Sequence, residues 1–398
     1  MDRITHLCTG CQACRQLCPS ACITMIDDSE GFLVPHIDDQ RCTNCGLCAV
    51  RCPQNAIRQK PSKSEKRVIG ARLKDDITLR KSASGGAFSG IAKYILTLDG
   101  AVFGCAFDEN IVARHVCITN FDEIEPLQSS KYVQSDVGDT YSHAKMLLEA
   151  GDAVLYTGTP CQIAGLYTYL GQDYSNLVTI DLICHGVPSP LLFKRYIEWL
   201  GVKYRGKIIY YDFRSKDKIG WGLGYKTKTK TKTKTKTKTK YPQYMLDPYY
   251  RGFLDDYTLR ECCYQCIYAN EHRLADLTIG DYWGVDIEHP EFWDSRGVSV
   301  ILINSEKGAQ LFAAASDEFE TVDTTFEKVS AHNPLLLAPR PRPSSRSGIY
   351  KDVADYSVDV FATDALRVRA GPVELAKVIM PPKFKRWLKG LLNPLLER

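Results

Sequence analysis

Two runs of cysteine in the first fifty-two residues have the residue type and spacing to hold iron. Cys8, Cys11, Cys14 and Cys18 precede Pro19, and Cys42, Cys45, Cys48 and Cys52 precede Pro53, each 34 positions after its counterpart. The pattern C-x2-C-x2-C-x3-C-P, written twice, is one that carries a pair of 4Fe-4S cubanes. Three thiolates on one tight loop reach three irons, and the fourth ligand crosses over. Cys18 is expected to complete the set of Cys42, Cys45 and Cys48, and Cys52 that of Cys8, Cys11 and Cys14. Zinc sites use paired CxxC units rather than a triple closed by Cys-Pro. Cys22 falls opposite Ala56 in the internal repeat, so a thiol is not required there. It is read as a small apolar residue outside the ligand set.

The chain of 398 residues can bury a large core in two or three domains. Its 44% hydrophobic and 25% charged content are those of a globular protein. Sixteen cysteines with no apolar signal region near Met1 point to a reducing, cytoplasmic setting and to metal rather than disulfides. No apolar stretch approaches the ~20 residues a membrane span needs. The net charge of +4 comes from one run: eight lysines alternate with seven threonines from Lys226 to Lys240. Taking those eight from the 51 basic residues leaves 43 against 47 acidic ones, a net −4. Aromatics flank this run but none interleave, unlike a nucleic-acid surface. The run is expected as a hairpin or surface loop with lysines on one side and threonines on the other.

The elements that must position these groups follow from hydrophobic period. Residues 59–66 read as a linker. Strands are expected at Ala101–Phe107, Ala153–Thr157, Val178–Ile183 and Val298–Ile303, with further strand formers over Lys207–Ser215. Helices are expected at Phe88–Leu98, Thr140–Glu149, Cys161–Leu170, Tyr249–Arg260 and Lys307–Phe319. This order gives a mixed α/β body. Prolines past Pro334 mark the expected end of the compact part. Near the C-terminal end, Phe384, Trp387, Leu388, Leu391, Leu392 and Leu395 form an apolar helical stripe beside basic residues. Segment 383–396 suits either an anionic membrane surface, a partner groove or its own domain.

Four later cysteines stand where chemistry is possible. Cys161 follows Gly158-Thr159-Pro160, a strand end with Thr159 as a cap and Pro160 suited to the first helical turn. The helix terminus there would stabilise a thiolate or an anion. Cys184 closes another strand beside His185, and Cys263 and Cys266 form a CxxC. These four could meet around a third cluster. Cys105 and Cys117 lie in apolar strands and are read as core. The turn Ser84-Gly85-Gly86 opens a helix, where backbone N–H groups can approach a phosphate; an ordinary helix entry is the alternative.

The same residues bring a family into view. The Ser84–Ser89 turn, Ser130-Lys131-Tyr132-Val133-Gln134-Ser135, Gly158–Gln162 and Asp181–Pro188 resemble motifs of the coenzyme F-420 hydrogenase/dehydrogenase beta-subunit family. Phe213-Arg214-Ser215-Lys216 with Gly220-Trp221, Cys263–Cys266 and Ala275–Gly284 continue the resemblance in order. It implies an α+β or mixed α/β fold: an N-terminal two-cluster ferredoxin-like domain (1–58), then a flavin-binding body in two parts (67–175 and 176–335); the tail (336–398) lies outside the resemblance. It also implies FAD, with Ser84, Gly85, Gly86, Lys131, Gly158, Thr159 and Pro160 as contacts. A third 4Fe-4S cluster would be held by Cys161, Cys184, Cys263 and Cys266, with Cys262 a spectator. The Lys/Thr run replaces part of the family pattern after Trp221.

Clusters pass single electrons, organic substrates exchange hydride, and a flavin does both. The expectation is an iron–sulfur flavoprotein oxidoreductase passing electrons between a ferredoxin-type partner and a small redox substrate such as coenzyme F-420. His185 is the acid–base candidate. An electron-relay subunit with no substrate site of its own is the alternative, and a nucleic-acid binder using the Lys/Thr run is a third.

Overall fold

The computed structural model describes residues 7–55, 67–218, 220–221, 225–230, 237–242, 244–350 and Leu366. The expected linker at 59–66 and the amphipathic segment 383–396 lie outside the described residues.

Around the paired cysteine runs the elements are short: α1 (Ala13–Leu17), β1 (Ile23–Asp27), β2 (Leu33–Ile37) and α2 (Leu47–Val50). The strands pair antiparallel, with Ile23 opposite Ile37 and Asp27 opposite Leu33. Asp28 closes their turn by accepting hydrogen bonds from the amides of Glu30 and Phe32, each at 2.9 Å. Cysteines with only two residues between them must face one centre, so the loops coil tightly. Gly10 has φ +65°, and a Cβ there would stand 2.8 Å from both Arg260 and the Leu33 carbonyl. Only glycine tolerates that combination.

The body adds β3 (Arg67–Leu73), α3 (Asp76–Lys81), α4 (Ala87–Thr97), β4 (Ala101–Phe107), β5 (Ala113–Ile118), α5 (Thr140–Ala150), β6 (Val154–Gly158), α6 (Pro160–Leu170), β7 (Leu177–Leu182) and α7 (Pro190–Lys203). There follow β8 (Lys207–Asp212), β9 (Lys226–Lys230), β10 (Thr237–Lys240), α8 (Pro248–Leu254), β11 (Leu277–Asp281), α9 (Val285–Glu288), β12 (Ser299–Ile303), α10 (Glu306–Ala314), β13 (Phe319–Thr324), α11 (Phe326–His332) and α12 (Arg346–Tyr350). Eight strands make one mixed sheet in the order β13-β3-β12-β11-β7-β6-β4-β5. Its centre, β4-β6-β7-β11, is parallel. Every residue of β6 is buried, as a strand covered on both faces requires. Strands from both expected parts of the body therefore share a single sheet.

Alternation along the strands sorts the core into layers. Val102, Leu155 and Ile180 face one side with Ile91 of α4 and Leu311 and Phe312 of α10. Ala101, Phe103, Val154 and Tyr156 face the other side with Tyr141 of α5 and Ile163 and Leu166 of α6. Cys11 and Ala13 join that second cluster. The cysteine-rich part thus packs on the outer side of α6.

Two expected helices end early. The one begun near Tyr249 stops at Leu254, and Asp256 takes φ +65° beyond it. The one begun near Lys307 stops at Ala314, and Phe319 turns into β13. The described ends of the Lys/Thr run form β9 and β10, with β9 antiparallel to β8 and β10 antiparallel to β9. On β9, Thr227 and Thr229 are buried while the lysines face outward, Lys226 reaching Asp217 at 2.6 Å.

The compact body does not end at Pro334. Arg340 binds Asp256 at 2.8 Å, Arg342 binds Glu261 at 2.7 Å, and Tyr350 Oη donates to the Thr258 carbonyl at 2.7 Å. The buried Arg346 guanidinium grips both oxygens of Glu30 and the Leu259 carbonyl. Prolines at 339, 341 and 343 keep a helix out of that stretch, but an extended strap can still be held by arginines, and α12 begins only past them, at Arg346. Arg346→Met is expected to cost about 2 kcal/mol, read as a lower urea midpoint, because it strands Glu30 and the Leu259 carbonyl.

Candidate functional site

The parallel strands end where the body's cysteines begin. Cys161 follows β6 and Cys184 follows β7, the carboxyl edge at which α/β sheets place ligands. Thr159 is the N-cap of α6, Pro160 its first residue, and the Gln162 side chain accepts from the Thr159 amide at 2.9 Å. Cys263 and Cys266 lie on the 3-10 turn Glu261–Gln265 and just past it. The fold brings all four together, since Cys161 feels Cys184, Cys266 and Cys263, and Cys184 feels Cys263 and Cys266. Burial pushes the Cys184 thiol up to about 12 and the Cys161 thiol higher still. The helix terminus expected to favour a Cys161 thiolate is outweighed by that burial. Cys263 is raised first by contact with Cys262, then by burial.

Cys8, Cys11 and Cys14 each lie within electrostatic reach of Cys52. Burial pushes the Cys11 thiol up to about 12 and the Cys14 thiol further. Cys18 stands apart from them, its Sγ 3.5 Å from Ser20 Oγ and 3.3 Å from Cys22 Sγ. Burial opposes ionisation of Cys18, but those contacts prevail and bring it down to about 7. Cys22, which in turn contacts Cys42, is 3% exposed and touches this set, although the repeat gave it no ligand role. Cys45 is exposed.

Thiols crowded together and largely withdrawn from water are costly to ionise unless a cation joins them. A coordinated thiol is deprotonated outright, so the donor sets fit iron. Among the described residues no three His, Cys, Asp or Glu side chains are close enough to grip a single metal ion. A cubane takes one sulfur per iron and needs a wider footprint than an ion with bonds of about 2.3 Å.

The Cys8 set and the Cys161 set adjoin. Cys11 and Cys161 act on each other. A Cβ on Gly165, one turn along α6 from Cys161, would stand 2.9 Å from Cys11 Cβ and 3.1 Å from its Sγ. Tyr268 lies between them, within reach of Cys161, Cys11, Cys266 and Cys52. A clasp of hydrogen bonds fixes this contact. Arg51 donates to the Thr168 carbonyl at 2.6 Å, Gln12 to Asp136 at 2.9 Å and Gln134 to the Thr9 carbonyl at 3.0 Å. The sequence reading missed Gly165, Tyr268 and Arg260. A glycine inside the α6 pattern was the one available signal.

The other motif residues gather around Arg214. It donates to the Tyr132 hydroxyl and to Asp281, each at 2.9 Å, and to the Ala83 carbonyl at 3.1 Å. Lys216 donates to the carbonyls of Leu79 at 2.8 Å and Ser84 at 2.6 Å. Gly85 is tightly enclosed, for a Cβ there would collide with Ala71 O and Ser299 N. Lys131 gives its protons to the carbonyls of Pro126, Gln128 and Ser129, and burial lowers it to about 8. His185 Nε2 stands 2.7 Å from Asp256 Oδ1, with its ring against Phe253. Cys105 and Cys117 are half-buried on β4 and β5.

Beside the Cys161 loop lies His115, buried, with Nδ1 3.1 Å from Ser135 Oγ and Nε2 3.2 Å from the Thr157 carbonyl. Burial lowers it to about 4. A base depressed from its ordinary 6.5 binds fewer protons folded than unfolded, so stability falls as pH drops through that window. We expect about 3 kcal/mol of acid destabilisation between pH 6.5 and pH 4 to disappear in His115→Gln, read by urea unfolding across pH.

Sulfur sets so placed define an iron–sulfur electron-transfer protein, and comparison with known proteins gives the family. Residues 151–326 match the family described as the C terminus of the coenzyme F-420 hydrogenase/dehydrogenase beta subunit. Residues 7–68 match the 4Fe-4S dicluster domain. Residues 151–326 thus belong to the F-420 hydrogenase/dehydrogenase beta-subunit family, a family of oxidoreductase subunits, and residues 7–68 to the dicluster ferredoxin domains.

An uncharacterized ferredoxin of Methanocaldococcus jannaschii is 38% identical over 60 residues, 15% of this chain and 77% of that protein. One of the subunits of an ion-translocating oxidoreductase complex from Methanosarcina acetivorans is 42% identical over 50 residues, 13% of this chain and 17% of that protein. The match thus spans less than a fifth of that relative. A structure of the F-420-reducing nickel–iron hydrogenase complex from Methanosarcina barkeri is similar over 70% of this chain and 89% of that one, at 17% identity and TM-score 0.42. Among the described residues no helix is long and apolar enough to cross a membrane.

Proposed function

We propose that this protein passes electrons between a ferredoxin-type partner and an organic, hydride-exchanging substrate of the coenzyme F-420 kind at bound FAD. The observation that carries the reading is the contact of Cys11 with α6, which seats the Cys8 set against the Cys161 set. Cys8, Cys11, Cys14 and Cys52 would hold one 4Fe-4S cluster, Cys18, Cys42, Cys45 and Cys48 a second, and Cys161, Cys184, Cys263 and Cys266 a third. Exposed Cys45 suits the side a partner approaches. Bound flavin would exchange hydride with the substrate and single electrons with the iron sites. Ser84, Lys131, Arg214 and Lys216 would shape its pocket, since motifs far apart in sequence meet there.

The protein's own groups would position rather than react. Arg214 is held by Asp281 and Tyr132, and Lys216 keeps the Ser84 carbonyl turned inward. The relay reading, with no substrate site, is favoured by one feature: Gly85 and Lys131 already satisfy internal partners. Anaerobic purification, an absorption spectrum and cofactor extraction decide between them. Flavin in the extract, followed by bleaching with a reduced deazaflavin, supports the enzyme. A flavin-free protein that still takes electrons from reduced ferredoxin is a relay.

A further inference from the structure

Four arginines are buried in the described structure: Arg214, Arg260, Arg273 and Arg346. Three have a carboxylate partner, Arg214 with Asp281 at 2.9 Å, Arg273 with Asp181 at 3.0 Å and Arg346 with Glu30. Arg260 does not. Among the described residues it meets only neutral acceptors: the Cys8 carbonyl at 2.8 Å, Gln134 Oε1 at 2.8 Å and the Leu33 carbonyl at 3.1 Å. Its guanidinium also lies 5.1 Å from the centre of the Phe32 ring. A guanidinium 5% exposed without a countercharge is costly by several kcal/mol. The groups near it that become anionic on binding iron are thiols: it holds the Cys8 carbonyl, its own carbonyl holds the Cys263 amide, and its charge acts on both cysteines.

We propose that Arg260 is the shared countercharge of two anionic iron–thiolate sites, one containing Cys8 and the other Cys263, and that it raises the reduction potential of both. This rests on the reading that those cysteines hold iron. Arg260 is suited to the role by position. Its side chain crosses from the body into the cysteine-rich part, and its own carbonyl accepts from the Cys263 amide at 2.8 Å. A positive charge placed there favours the reduced state of each site, which carries one more electron. The same hydrogen bonds clasp the two parts together, so docking and potential are set by one side chain.

Potentiometric titration followed by electron paramagnetic resonance, on full-length protein with its iron and sulfide counted, tests this. Arg260→Gln should keep its iron and shift two of the signals, the ratio of reduced to oxidised at a fixed potential falling about tenfold, or 59 mV for one electron. Arg260→Lys keeps the charge and should stay near wild type. Unchanged potentials in an iron-loaded Arg260→Gln overturn the proposal. If that variant does not accumulate, Arg260→Met refills the volume and carries the same expectation. Loading of Arg260→Lys alone supports a need for charge, while failure of all three marks a packing role and overturns it. Wild-type protein without iron would instead sink the underlying assignment of the cysteines.

Discussion

Cys161→Ala should leave the purified protein with about four fewer irons of roughly twelve, while the iron held by residues 8–52 stays. Cys161 is a sulfur of the body that acts on the N-terminal set, through Cys11, whose side chain packs at Gly165 one turn further along α6. Removing it would take one corner from the proposed third site, whose other three cysteines come from two further segments and are, like Cys161, partly buried. Electrons delivered to the N-terminal part should then fail to reach any acceptor bound to the body. Iron and sulfide analysis with anaerobic spectroscopy measures the loss. Cys262→Ala is the matched control, since Cys262 is buried beside Cys263 yet outside the set. Full iron content in Cys161→Ala would remove the third cluster from the account.

Gly165→Val should separate the two halves of the electron path while leaving both sets of ligands intact. Even one carbon at this position would stand 2.9 Å from Cys11 Cβ and 2.9 Å from the Tyr141 hydroxyl. Two of these neighbours cannot yield: Cys11 belongs to a tight loop, and Tyr141 is buried with its hydroxyl bound to the Gln162 carbonyl at 2.8 Å. Overpacking of this kind costs about 1–3 kcal/mol. The strain falls on the seam, so the cysteine-rich part should lift from α6 before either part unfolds. Limited proteolysis between residues 55 and 67 should quicken, and reduction of the body's site by way of the N-terminal set should slow at least tenfold for ~1.4 kcal/mol. Stopped-flow reduction at unchanged iron content reads this. A variant as fast as wild type would mean that the seam is not the route.

The outcome of the sequence reading depended on the range of each signal. Strand β4 emerged at Ala101–Phe107 as expected, because a largely buried strand writes a continuous apolar run without help from neighbours. The helix from Tyr249 did not, since Asp256 turns left-handed to meet Arg340 and the Tyr264 hydroxyl, partners far from the pattern that suggested the helix. The Lys/Thr run kept its alternation, and β8 decided which side was buried. The proline-rich stretch past Pro334 was misread as an exit, because local composition says what a segment cannot form and nothing about which arginines hold it.

The cysteine spacings alone determined that iron was the expected cargo of the first fifty-two residues, because cubane geometry fixes how far apart the ligands on one loop can be. Spacing also named Cys161, Cys184, Cys263 and Cys266 as able to meet. Only the tertiary structure brought them within reach of one another, set Cys161 within reach of Cys11, and buried Arg260 beside Cys8 with no carboxylate partner among the described residues. Those facts depend on how β6, β7 and the 3-10 turn converge at one edge of the sheet, and such convergence over a hundred residues leaves no mark in local sequence.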